Sequence, residues 1–168
     1  MAARTVLVTG ASRGIGLATA QLLAAHGHRV IGIARTPPAQ PFPGEFHAAD
    51  LADRTALDAV MGAIGPQIEC LVNNLGIAEI QALDQVTTET LQRQFAVNIL
   101  ATVAITQACL AGMRARGWGR IVNMSSQAAL GKLGRSGYGT TKAGLMALTR
   151  TWALELARPA KCSMSAAA

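Results

Sequence analysis

The chain has 168 residues, 51% of them hydrophobic and 14% charged, with a formal net charge of +6. That length suits one domain with a sizeable core, and the low charge content argues against a disordered polyelectrolyte. The positive balance rests on scattered arginines without aromatic interleaving, which argues against nucleic acid as a partner.

Residues 4–10, RTVLVTG, are a β-branched run closed by glycine and predict a buried strand. Their apolar stretch is too short for a signal peptide. Residues 14–27 place Ile15, Ala18, Leu22 and Leu23 near helical spacing, and Gly27 suits the position just past a helix end. A second strand is predicted at 29–34. Residues 35–44 hold four of the six prolines, so no ordinary helix forms there. A third strand at 45–50, a helix at 54–64 and a fourth strand at 69–74 follow. Thr87 or Thr88 can cap a long helix running to about Met113. Its part at 95–113 carries no charge, but Asn98, Thr102, Thr106 and Gln107 interrupt it. It therefore reads as a buried helix rather than a membrane span. A fifth strand at 119–125 and a last helix at 137–157, stopped near Pro159, complete the pattern.

Strands alternating with helices imply one parallel sheet with helices on both faces, over residues 1–159. The last helix should feed another strand. Residues 160–168, however, have no β-branched run and no turn signal, so they read as an irregular tail. Cys70, Cys109 and Cys162 are odd in number and widely spaced. That argues against a disulfide framework or a metal site and for a reducing, cytoplasmic compartment.

Two short stretches carry chemistry. TGASRGIG (9–16) joins the first strand to the first helix. Gly10 permits the tight turn, while Gly14 and Gly16 let a diphosphate approach the backbone and let the helix pack closely. The helix start offers unpaired N–H groups and a positive dipole end to an anion. YGTTK (138–142) holds the only tyrosine and one of three lysines. Positions i and i+4 share a helix face, so Lys142 can approach Tyr138. A phenol ordinarily holds its proton to about pH 10, and a neighbouring ammonium favours the phenolate. Such a pair suits proton transfer to a carbonyl oxygen on which charge builds.

The spacing G-x-x-x-G-x-G resembles the short-chain dehydrogenase/reductase family, and the resemblance recurs along the chain. NNLG (73–76) resembles the family's N-N-A-G, IVNMSS (121–126) its serine-bearing strand, and YGTTK its Y-x-x-x-K. The 3-oxoacyl-[acyl-carrier-protein] reductase-like members look most similar. The resemblance implies a Rossmann-type doubly wound, three-layer α/β/α fold lacking the family's C-terminal strands. It also implies truncation, an uncovered sheet edge, a substrate pocket short of a wall, and, as the alternative to an enzyme, a non-catalytic nucleotide-binding remnant. By resemblance Tyr138 is general acid and base, Lys142 also holds the nicotinamide ribose, and Asn98 holds a relay water. Ser126 binds the substrate oxygen if the strand is the anchor; the commonest spacing from the tyrosine gives Ser125. Gly10, Ser12, Arg13, Gly14, Ile15, Gly16, Asn74, Tyr138 and Lys142 are the implied cofactor contacts. Asp50 and Leu51 match the adenine position, and Leu75 in place of alanine crowds the ribose side. The implied substrate is a small carbonyl or alcohol. The implied assembly is a homodimer or homotetramer through helices 87–113 and 137–157.

Cofactor preference follows from one missing residue and two present ones. An acid at the end of the second strand would bind the 2′-hydroxyl of NAD. Positions 32–44 contain none, whereas Arg35 follows that strand and Arg13 sits in the glycine turn. Two guanidinium groups suit the 2′-phosphate of NADP.

Overall fold

A computed structural model describes residues 2–157 and, as backbone, 161–167. Five strands fall where the sequence predicts them: β1 (Thr5–Thr9), β2 (Arg29–Ala34), β3 (Glu45–Ala48), β4 (Cys70–Asn73) and β5 (Trp118–Met124). The helices are α1 (Gly14–Ala25), α2 (Arg54–Ile64), α3 (Thr88–Phe95), α4 (Ala101–Ala115) and α5 (Ser136–Leu156). Pro159, expected to stop α5, lies outside the described residues. All strand pairs are parallel, and the sheet order is β3-β2-β1-β4-β5-β6. The order reverses between β1 and β4, and a crevice at their carboxyl ends is the usual ligand position of such sheets.

The sixth strand corrects one expectation. Residues 161–167 do not form an irregular tail; Lys161–Ala167 is a strand, β6, paired in parallel along the whole of β5 from Trp118 to Met124. The free edge of β5 offers a full row of backbone donors and acceptors, and that edge forms a strand where composition signals none.

Burial explains the strand sequences. Val6 and Val8 of β1 face the α1 layer, packed with Ala20 and Val30. Leu7 faces the opposite layer, with Ile31, Ile33, Leu57, Met61, Leu71, Ile105, Met113 and Ile121. Both faces are covered, so the central strands β1 and β2 carry successive buried residues rather than an alternating pattern.

The long helix is one continuous rod with an unexpected feature. Thr87 caps α3, its Oγ1 accepting from Thr90 N. Ala96–Leu100 then widens into a π-helical turn before α4 begins. The stretch Thr88–Ala115 is apolar and long enough to span a membrane by length and composition. Here its Ile105, Cys109 and Met113 are buried in the core. Thr102 and Thr106 bond back to the carbonyls of Asn98 and Thr102, which removes the cost of burying their hydroxyls.

Helix α4 also meets the 3-10 turn Gly65–Gln67 at very short range. A Cβ on Gly112 would lie 2.0 Å from the carbonyl oxygen of Pro66. Backbone cannot yield cheaply there, so Gly112→Ala should destabilise the fold by about 2–3 kcal/mol in urea unfolding. An unchanged midpoint would show that this contact is looser than described.

Candidate active site

The glycine turn is built as the sequence implies. Gly10 and Gly14 have φ of 67° and 56°, a region that side-chain-bearing residues avoid. Gly16 packs so closely that a Cβ would sit 2.3 Å from Gly10 O and 2.6 Å from Asn74 Nδ2. No side chain caps the start of α1, and its first turn holds no acid. Its N–H groups and positive dipole end are therefore available to an anion.

A polar clasp holds this turn against β4. Asn74 Nδ2 donates to Thr9 O at 3.0 Å and Gly10 O at 3.3 Å. Thr9 Oγ1 accepts from the backbone N–H groups of Asn74 and Leu75, both at 3.0 Å. Thr9 was not singled out from sequence, because its role depends on a strand 65 residues away.

Beside the clasp lies a cleft of about 750 Å³. Gly10, Ser12, Arg13, Arg35, Asp50, Leu51 and Asn74 line it, so the sequence brings these candidates to one place. Leu75 lines it too, half-buried. Asp50 Oδ1 accepts from Ala52 N at 3.0 Å, fixing the turn into α2. Gly14, Gly16 and Ile15 are not lining residues; Gly16 is buried beneath the turn and Ile15 is 65% exposed. Arg93 lines the cleft as well, held by two bonds to Glu79 at 2.8 and 2.6 Å. The uncapped helix start, the close glycine packing and the cations Arg13 and Arg35 fit a nicotinamide dinucleotide.

Gly76 links the cleft to YGTTK. A Cβ there would lie 3.3 Å from Lys142 Nζ and 3.4 Å from Asn98 Oδ1. Lys142 is only 2% exposed, and its Nζ donates to Met124 O at 2.6 Å. It stands 5.7 Å from the centroid of the Tyr138 ring. Burial pushes its ammonium down to about 8. Asn98 is fully buried on the π-helical turn. Its Oδ1 accepts from Ile77 N at 2.8 Å, and its Nδ2 donates to Ile77 O at 3.0 Å and Thr141 Oγ1 at 2.9 Å. Thr141 in turn donates to Tyr138 O at 2.8 Å. Thr141, also missed from sequence, thus ties Asn98 to the helix turn that carries the tyrosine.

The two serines have different tasks. Ser125 is buried and donates its hydroxyl to Lys142 O at 3.0 Å. Ser126 caps the 3-10 turn Gln127–Leu130, its Oγ accepting from Ala128 N at 3.2 Å. That bond uses a lone pair and not the proton of Ser126, which stays available to another acceptor.

Fold and site together define a dinucleotide-binding α/β oxidoreductase. Residues 4–162 match the family described as short chain dehydrogenase, and the chain belongs to that family. L-xylulose reductase of Homo sapiens is 41% identical over 164 residues, covering 93% of this chain and 67% of that protein. A 3-oxoacyl-[acyl-carrier-protein] reductase of Vibrio cholerae is 33% identical over 92% of this chain and 68% of its own. A solved short chain dehydrogenase/reductase family protein superposes with a TM-score of 0.89 at 37% identity, over 97% of this chain and 72% of its own.

Lys142 has a measurable consequence for stability. Its folded pKa, about 8, lies below its ordinary 10.5. The unfolded chain therefore binds that proton more tightly, and Lys142 opposes folding below pH 8. The opposition fades as pH rises towards 10.5. Lys142→Met should raise stability by roughly 1–2 kcal/mol at pH 7, with the gain shrinking above pH 8. Thermal unfolding at a series of pH values reads this directly; a pH-independent difference would contradict it.

Proposed function

We propose that the chain is a carbonyl reductase that uses NADPH, with Tyr138 as general acid. One observation carries the reading: a buried ammonium, Lys142, stands 5.7 Å from the Tyr138 ring and borders, through Gly76, a dinucleotide-sized cleft. Gly10, Ser12, Arg13, Asn74 and the start of α1 would hold the cofactor's phosphates and ribose. Arg13 and Arg35 would take the 2′-phosphate, and Asp50 and Leu51 would meet the adenine. When bound, NADPH supplies the hydride for the carbonyl carbon.

The chain's own residues handle the oxygen. Tyr138 gives its phenolic proton to the carbonyl oxygen as negative charge builds there, and takes one back in the reverse direction. Ser126 donates a second hydrogen bond to the same oxygen. Lys142 supplies positive charge beside the phenol, which favours the phenolate left behind. Asn98 holds the Ile77 backbone and Thr141 in register, beside the ammonium through which the proton is replaced. The free thiols Cys70 and Cys109 suit a reducing, cytoplasmic setting. A homodimer or homotetramer through α3–α4 and α5 would cover the exposed Leu100 and Leu154.

Oxidation of NADPH at 340 nm, against a panel of ketones, tests the reading. Tyr138→Phe should lower kcat by about 10² to 10⁴ while cofactor binding persists. A phenylalanine variant with undiminished turnover would refute the assignment. Replacing both Arg13 and Arg35 by Ala should cut the preference for NADPH over NADH by about tenfold or more. An unaltered ratio would mean that neither guanidinium meets the 2′-phosphate.

A further inference from the structure

Tyr138 has a second cation against its ring. Arg135 immediately precedes α5, and its guanidinium carbon lies 5.8 Å from the ring centroid. The residue is half-buried, and its backbone is fixed at both ends. Arg135 N donates to Lys132 O at 3.2 Å, and Arg135 O accepts from Gly139 N at 2.6 Å. Arg4, Arg29, Arg54 and Arg93 each have a carboxylate partner. Among the described residues, no carboxylate pairs with Arg135. A guanidinium without a counter-ion, half-buried against the Tyr138 ring, keeps N–H donors that suit a ligand anion.

Gly134 and Ser136, the chain neighbours of Arg135, line a cleft that can take the rest of that ligand. The loops after β4 and β5 are joined by Gln81 N donating to Gly134 O at 3.0 Å. Between them lies an open cleft of about 780 Å³, lined by Ile80, Leu83, Lys132, Leu133 and Ser136 among others. No acidic side chain lines it, and Ile80, Leu83 and Leu133 are 70%, 82% and 97% exposed. The three exposed apolar side chains suit an alkyl chain.

We propose that Arg135 is a specificity residue that holds the carboxylate of an oxo-acid substrate, whose alkyl arm lies along the Ile80–Leu83–Leu133 cleft. The inference rests on the reading that Tyr138 meets the substrate's carbonyl. The planar guanidinium matches a carboxylate with two parallel hydrogen bonds and orients the neighbouring carbonyl towards the phenol.

The test compares 2-oxohexanoate with its ethyl ester, which keeps the carbonyl and removes the charge. Two quantities are read: the acid-to-ester ratio of kcat/KM with NADPH, and the affinity for 2-oxohexanoate by calorimetry with no cofactor added. Arg135→Ala and Arg135→Gln should each lower both by about tenfold or more, and Arg135→Lys should recover part of the loss. Arg114→Ala, at the exposed end of α4, controls for net charge and should leave both unchanged. Ratios and affinities that are equal in wild type and Arg135 variants overturn the proposal. Absence of turnover across the whole ketone panel, these two included, would instead refute the reductase reading, and calorimetry would still decide whether Arg135 holds the carboxylate.

Discussion

Thr9 and Asn74 are the hinge on which the cofactor side of the molecule depends. Parallel strands diverge at their carboxyl ends, and a doubly wound sheet opens a crevice where strand order reverses. That crevice needs a fixed floor. Thr9 Oγ1 accepts two backbone N–H groups from the end of β4, and Asn74 Nδ2 returns two bonds to the end of β1. The loop after β4 thus inherits its position from β1. Gly16 must then pass beneath both, with room for hydrogen alone. The turn that presents N–H groups to an anion is therefore set by the sheet rather than by the loop's own preferences.

The opposite constraint governs Lys142. Most of the buried polar groups here are satisfied at little cost by neighbours, as Asn98 is by Ile77 and Thr141. Lys142 is different: it is almost wholly buried, its ammonium donates to the Met124 carbonyl, and that ammonium is destabilised by its surroundings. A fold optimised for stability would place an apolar residue there. An ammonium kept at such a place, next to a phenol and near a cleft, is the kind of desolvated group that functional sites tolerate.

Much of the sheet was legible because both of its faces are covered. Strands such as TVLVT are β-branched runs with an unbroken apolar middle, and turn residues separate them cleanly from helices. The glycine turn and YGTTK were legible for a related reason: each is local, with all its parts within a few residues. What escaped depends on distance in sequence. Thr9 and Thr141 act through partners on other elements. The π-helical turn under Asn98 has no side-chain pattern of its own. Arg135 is a different case: it lies only three residues before Tyr138, but residue type alone does not mark its guanidinium as standing against the ring. The strand at 161–167 was misread because its partner is distant in sequence. Nothing in AKCSMSAAA signals a strand, since its partner's edge, not its own composition, forms it.

That last strand bears on the site through the helix before it. With β6 in place, α5 is the crossover of a β5-α5-β6 unit rather than a helix hanging from one strand. The amino end of α5, which bears Tyr138 and Lys142, is pinned by Ser125 donating to Lys142 O and Lys142 donating to Met124 O, both at the carboxyl end of β5. Its middle is pinned by Asn123 donating to Thr149 Oγ1. Asn123 is bound in turn by Asn73 of β4. The helix turn that carries the phenol is therefore fixed to β5 and, through Asn123, to β4, one of the two strands whose ends line the crevice. Tyr138 is thereby held at a fixed height above the sheet.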